Sequence, residues 1–171
     1  MKLHAVIALA PVMLAGCGYH VSGRADLIPE NIRTIAIPAW NNLTPRFRLA
    51  DRLPAAIARE FITRTRYQVV ADPNQADAIF SGAVISYNSY PIVLDNTTGR
   101  ASVVQMIVLL QMKLTERATG RILYERSSYE ARERYEISVD PLAYLEESST
   151  AMDRLAREVA RGVVSAVLES F

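Results

Sequence analysis

The segment Ser102–Thr115, SVVQMIVLLQMKLT, restricts the fold more than any other. Val104, Met106, Val108, Leu110, Met112 and Leu114 recur at every second position. Only an extended strand places such a set on one face. A face that apolar needs another layer packed over it. Gln105, Gln111 and Lys113 mark the opposite face, yet Ile107 and Leu109 fall there as well. A sheet with one covered face and one open, partly apolar face is therefore expected.

Two helical patterns can supply the cover. Leu49, Leu53, Ile57 and Phe61 recur at a spacing of four, with Ala56 and Ile62 beside them. Pro54 is tolerated in a first turn, so Asp51 is the expected N-cap of the regular part. Near the C-terminus, Leu145, Met152, Leu155, Val159, Val163 and Val167 form a second stripe. Asp140-Pro141 opens it as an N-cap followed by proline at the first helical position. Gly162 is an interior defect, and Ser148-Ser149-Thr150 is where a break would fall.

The other strand signals are Ile32–Ile37, Tyr67–Val70, Ala78–Asn88, expected to be weakened or bulged at Gly82, and Ile122–Ile137. Asp72-Pro73-Asn74 and Thr119-Gly120-Arg121 read as turns. Asp95–Arg100 reads as a hairpin tip, with Gly99 free to take positive φ. "PAWNNLTPR" reads as a loop. The resulting order, β, α, β-β-β-β, α, predicts an α+β fold with two amphipathic helices on one face of a mostly antiparallel or mixed sheet.

Before this domain stands MKLHAVIALAPVMLAG, with Lys2 as a positive n-region and Ala5–Leu14 as an apolar run. This is the layout of a secretory signal, and the run is shorter than the roughly 20 residues a membrane span needs. Its ending, Leu14-Ala15-Gly16-Cys17, resembles a bacterial lipobox. The resemblance implies that Cys17 takes a diacylglyceryl group, that residues 1–16 are removed, and that the new amine is acylated. Gly18, where aspartate would signal inner-membrane retention, implies the inner leaflet of the outer membrane. Several acyl chains make such an anchor durable, since each buried methylene adds about 0.8 kcal/mol. Residues 17–31 then form a lipidated tether, with an edge strand expected at Tyr19–Val21, and residues 32–171 form one domain.

Chemistry is sparse in the mature chain. Lys2 leaves with the leader, so the 19 cationic and 18 acidic residues reduce to 18 of each. That balance argues against sequence-independent nucleic-acid binding, which needs a basic excess. His4 leaves with the leader, and His20 stands three residues from the anchor, so a Ser-His-Asp triad has no histidine to use. No cluster of metal ligands and no glycine-rich phosphate loop is present in the sequence. The carboxylate pairs Glu125 with Glu130 and Glu146 with Glu147 read as solvated surface. Neither an enzyme nor a cofactor is expected, beyond the covalent acyl chains on Cys17. The binding candidates are an apolar-aromatic patch of Ile107, Leu109 and Tyr87 or Tyr90, and Arg100 at the hairpin tip.

Taken together, Cys17-Gly18-Tyr19-His20-Val21, "IRTIAIPAWNN" and the hairpin "SYNSYPIVLDNTTGRASVVQMIVLLQMKLTE" resemble the LPS-assembly lipoprotein family, LptE. The resemblance implies two helices on a four-stranded sheet, seated as a plug inside the outer-membrane barrel LptD. It implies help in assembling that barrel and in placing lipopolysaccharide in the outer leaflet. Arg100 lies close to the hairpin through which some members meet lipopolysaccharide. The competing expectation is another outer-membrane lipoprotein with a similar domain, a cell-wall synthase activator or a curli-type secretion component.

Overall fold

The computed structural model describes residues 31–137 and 141–170, without the side chains of Phe47 and of residues 141–146. Cys17, His20, Tyr19–Val21 and the Asp140 N-cap lie outside the described residues, and the Leu145 side chain is outside them too. The elements are β1 (Thr34–Ala36), β2 (Asn41–Asn42), α1 (Phe47–Arg64), β3 (Gln68–Val70), β4 (Ala78–Leu94), β5 (Ala101–Glu116), β6 (Ile122–Glu136) and α2 (Pro141–Glu169).

The expected α+β layering is present, but the sheet has six strands rather than four. Their order is β3-β1-β4-β5-β6, with β2 pairing β4 off this path. The additional strands are short. β2 is two asparagines inside the segment expected to be loop, and it pairs with Ala83 and Val84 through main-chain groups that any side chain permits. β1 runs parallel to both β3 and β4, and α1 forms the crossover from β1 to β3 that a parallel pair requires. From β4 to β6 the sheet is an antiparallel meander.

The alternating face of β5 is buried from Val104 to Leu114, together with Leu49, Leu53, Ile57 and Phe61 of α1 and Leu155, Val159, Val163 and Val167 of α2. Both helices therefore cover the same sheet face. They run parallel to each other: Arg52 donates to the carbonyl and hydroxyl of Ser149 at 2.6 and 2.7 Å, and Arg64, one helix end later, donates to the Ser165 hydroxyl at 2.7 Å.

Some local expectations shift. α1 starts at Phe47, ahead of Asp51, so Pro54 lies inside the helix, where it leaves the Ala50 carbonyl without its i+4 donor. α2 continues through Ser148-Ser149-Thr150. Gly82 is not a bulge, because it stays in register with Met112. It is small for another reason: a Cβ there would stand 2.5 Å from the Trp40 indole. Trp40 packs across that gap on Phe80, with centroids 6.1 Å apart, and Phe80 meets Phe61 edge-on. The bulge falls three residues later, between Val84 and Ser86. Gly162 presents a different constraint from a simple defect, since the Tyr129 hydroxyl approaches within 3.0 Å of where its Cβ would be.

Two carboxylates clasp the lower end of the sheet. Asp77 accepts from the main-chain N–H of Arg33 and Thr34, both at 2.9 Å, and from the Thr34 hydroxyl at 2.8 Å. These donors hold its carboxyl below the usual carboxylate range. Glu116 accepts from the Thr119 hydroxyl at 2.6 Å, the Asn31 amide at 2.7 Å and Arg121 at 3.3 Å, and its pKa is likewise lowered.

Candidate functional site

Opposite residues of paired strands share a face, so the register sorts the candidate residues. Ile107 sits between Asn88 and Arg132, Leu109 between Ser86 and Glu130, and Tyr90 opposite Gln105. All of these lie on the open face, away from the helices. Ile107 and Leu109 are only half-buried there. Their flank on the β6 side is an ion pair, Arg132 Nε donating to Glu130 at 2.6 Å. Glu130 is thereby committed to Arg132, which weakens any pairing with Glu125 as a catalytic couple.

Tyr87 is on the other side. It faces Val108 in the register, on the helix-covered face, and the Arg46 guanidinium stands 5.3 Å over its ring. The cause is the bulge at Ile85. Phe80, Gly82 and Val84 point to the helices at even numbers; one extra residue then transfers that face to odd numbers. The sequence could not place this bulge, so its patch of Ile107, Leu109 and Tyr87 or Tyr90 is resolved in favour of Tyr90.

The open face thus has two lanes. Tyr90, Val93, Val103, Ile107 and Leu109 make an apolar lane along β4 and β5, and β6 contributes Glu125, Glu130, Arg132, Arg134 and Glu136 beside it. Among the described residues no group of three or more acidic, histidine or cysteine side chains is arranged to hold a metal ion. A groove of about 650 Å³ at the β6–α2 junction is lined by Arg134, Tyr135, Glu136, Glu147 and Arg154. Arg154 is already tied to Glu133 at 2.7 Å and donates to the Arg134 carbonyl at 3.1 Å, so it joins helix to sheet across the groove.

Arg100 lies at the hairpin tip, exposed, past Gly99 with φ of +68°. The tip is closed by Asp95, which accepts from the N–H groups of Thr97 and Thr98 at 3.0 and 2.7 Å. The Arg100 carbonyl accepts from the Asp95 N–H at 2.8 Å, which fixes the backbone while the guanidinium faces solvent. No helix among the described residues is long and apolar enough to cross a membrane.

Comparison with solved structures gives the same architecture. The chain superposes on rare lipoprotein B from Shewanella oneidensis with a TM-score of 0.53 and 12% identity, covering 80% of this chain and 95% of that one. With lipoprotein B from Nitrosomonas europaea the TM-score is 0.56 at 15% identity, over 89% and 96% of the two chains. At such identities the likeness concerns the fold alone. No curated protein matches the chain. The profile of the LptE family, described as lipopolysaccharide-assembly, matches residues 32–167, nearly the whole domain. The chain belongs to the LptE lipopolysaccharide-assembly family.

Proposed function

We propose that this protein is a lipid-anchored, non-catalytic member of that family, held at the outer membrane through acylated Cys17 on the periplasmic side. It seats in the LptD barrel as a plug, helps the barrel assemble, and assists insertion of lipopolysaccharide into the outer leaflet. The family match supports the pathway. The observation that carries the docking role is the apolar lane of Tyr90, Ile107 and Leu109 on a sheet face that no layer covers among the described residues. Aromatic and aliphatic side chains with a charged border are the usual composition of an interface core and rim. Arg100, exposed at the tip, is the candidate contact for a lipid phosphate.

Affinity purification of the lipidated chain from detergent tests the docking role. One large barrel protein should co-purify, and depletion of the chain should lower the amount of folded barrel. Recovery of a cell-wall synthase alone would establish the competing accessory role instead. For the lipid contact, Arg100→Glu should weaken lipopolysaccharide binding severalfold; unchanged binding removes Arg100 from the site.

A further inference from the structure

The sheet has two long outer edges, and they are built differently. β6 carries seven charged residues among its 15 positions, Glu125, Arg126, Glu130, Arg132, Glu133, Arg134 and Glu136. Such charge guards an edge against adventitious pairing. β4 carries none over its 17 positions. On its outer side, β1 pairs only with Ala78 and Ile79, and β2 only with Ala83 and Val84. The lane ends where the Leu43 N–H donates to the Val84 carbonyl at 3.0 Å. Beyond it, Asn88–Leu94 is exposed throughout and is paired only with β5 among the described residues. That is seven residues, enough for an ordinary strand of about 5–6.

The side chains mark the same line. Among the described residues seven large apolar side chains are exposed, and five of them are Leu43, Tyr90, Ile92, Val93 and Leu94. We infer that the outer edge of β4 from Asn88 to Leu94 is a strand-addition site. In it an extended, uncharged, apolar-rich segment of a partner protein continues the lane that β2 begins. The inference rests on the proposed function in taking that partner to be the barrel protein.

Main-chain chemistry selects this occupant over others. Acyl chains would cover the apolar side chains but offer nothing to the outward N–H and C=O groups, each of which is costly to bury unpaired. A peptide strand satisfies both. A second copy of this chain fits poorly. Pro91 has no N–H, and the ladder to β5 shifts between Pro91 and Val93 and again between Val93 and Leu94. Two-fold pairing would put both prolines and all of these irregularities into a single ladder.

Hydrogen exchange on the lipidated full chain, alone and in its complex with the barrel protein, tests the site. Amides of Asn88–Leu94 should exchange at least about tenfold more slowly in the complex, the protection expected of an added ladder. Ile92→Lys should lower barrel recovery by about tenfold, while Ile62→Lys, at a still more exposed position on α1, should not. Equal exchange in the two states overturns the inference. So does protection already present in the chain alone, which would assign the edge to this chain or to a second copy. If no barrel protein co-purifies at all, the proposed function itself fails; if it does and the amides are unchanged, only strand addition fails.

Discussion

Between Ala78 and Val84, β4 pairs with β5 throughout and with β1 and β2 at its two ends, and Phe80 is sealed between Trp40 and Phe61. Between Asn88 and Leu94 the same strand has β5 on one side, and every residue is exposed. Apolar content does not distinguish the halves, since the outer one holds Tyr90, Ile92, Val93 and Leu94. Cover does. Side chains of the inner half are buried or half-buried within this chain, whereas those of the outer half stay exposed. Stability should therefore reside in the first half and binding in the second.

The largest expected effect tests that division directly. Phe80→Ala should cost about 3–5 kcal/mol of unfolding free energy, because a fully buried ring is replaced by a cavity. Ile92→Ala should change it by less than about 0.5 kcal/mol, as for ordinary surface positions. Urea denaturation of both variants measures the contrast. A comparable loss at Ile92 would mean that the outer hairpin is packed in the isolated chain, and the division would not hold.

The division was partly legible in the sequence. The buried face of β5 and the two helical stripes follow from local periodicity, and burial falls where it predicts, at Val104–Leu114, Leu49–Phe61 and Leu155–Val167. The tip at Gly99 was equally legible, because a turn is a local event. Ile107 and Leu109 were found on the open face for the same reason. What the sequence could not show depends on long-range pairing. Asn41-Asn42 becomes a strand only because β4 offers main-chain partners. Tyr87 changes face through a single extra residue at Ile85. The edge of β4 left unpaired among the described residues is a property of strand order, which no local pattern carries. The reason for Gly82 was hidden as well, since Trp40 lies 42 positions earlier in the chain and meets it only in the folded state.

A smaller effect is expected at the clasp beneath the inner half. Asp77→Asn removes the charge that the Arg33 and Thr34 N–H groups and the Thr34 hydroxyl hold, and should lower Tm by a few degrees at pH 7. The native carboxyl has a depressed pKa, so its contribution is fully present above the unfolded value of about 3.9 and is lost as pH falls through the native one. Thermal melts of the two proteins should therefore differ at pH 7 and converge in acid. A constant difference down to pH 2 would show that the amide's altered geometry, and not the charge, is responsible.

The smallest global effect, and the sharpest on the outer half, is expected from Gly99→Ala. At φ of +68° an alanine is strained by about 1–2 kcal/mol. In a single cooperative unit that strain would appear in Tm. If the outer hairpin opens by itself, the strain stays local and the core does not register it. Tm should then move by less than about 1 °C, while amides flanking the tip, within Ser89–Leu94 and Ala101–Val104, exchange about 5–30-fold faster in the variant. A full Tm loss with unchanged local exchange would join the two halves into one unit. The predicted pattern would instead make the hairpin an independently opening element, whose ordering cost the proposed strand addition at β4 would have to meet.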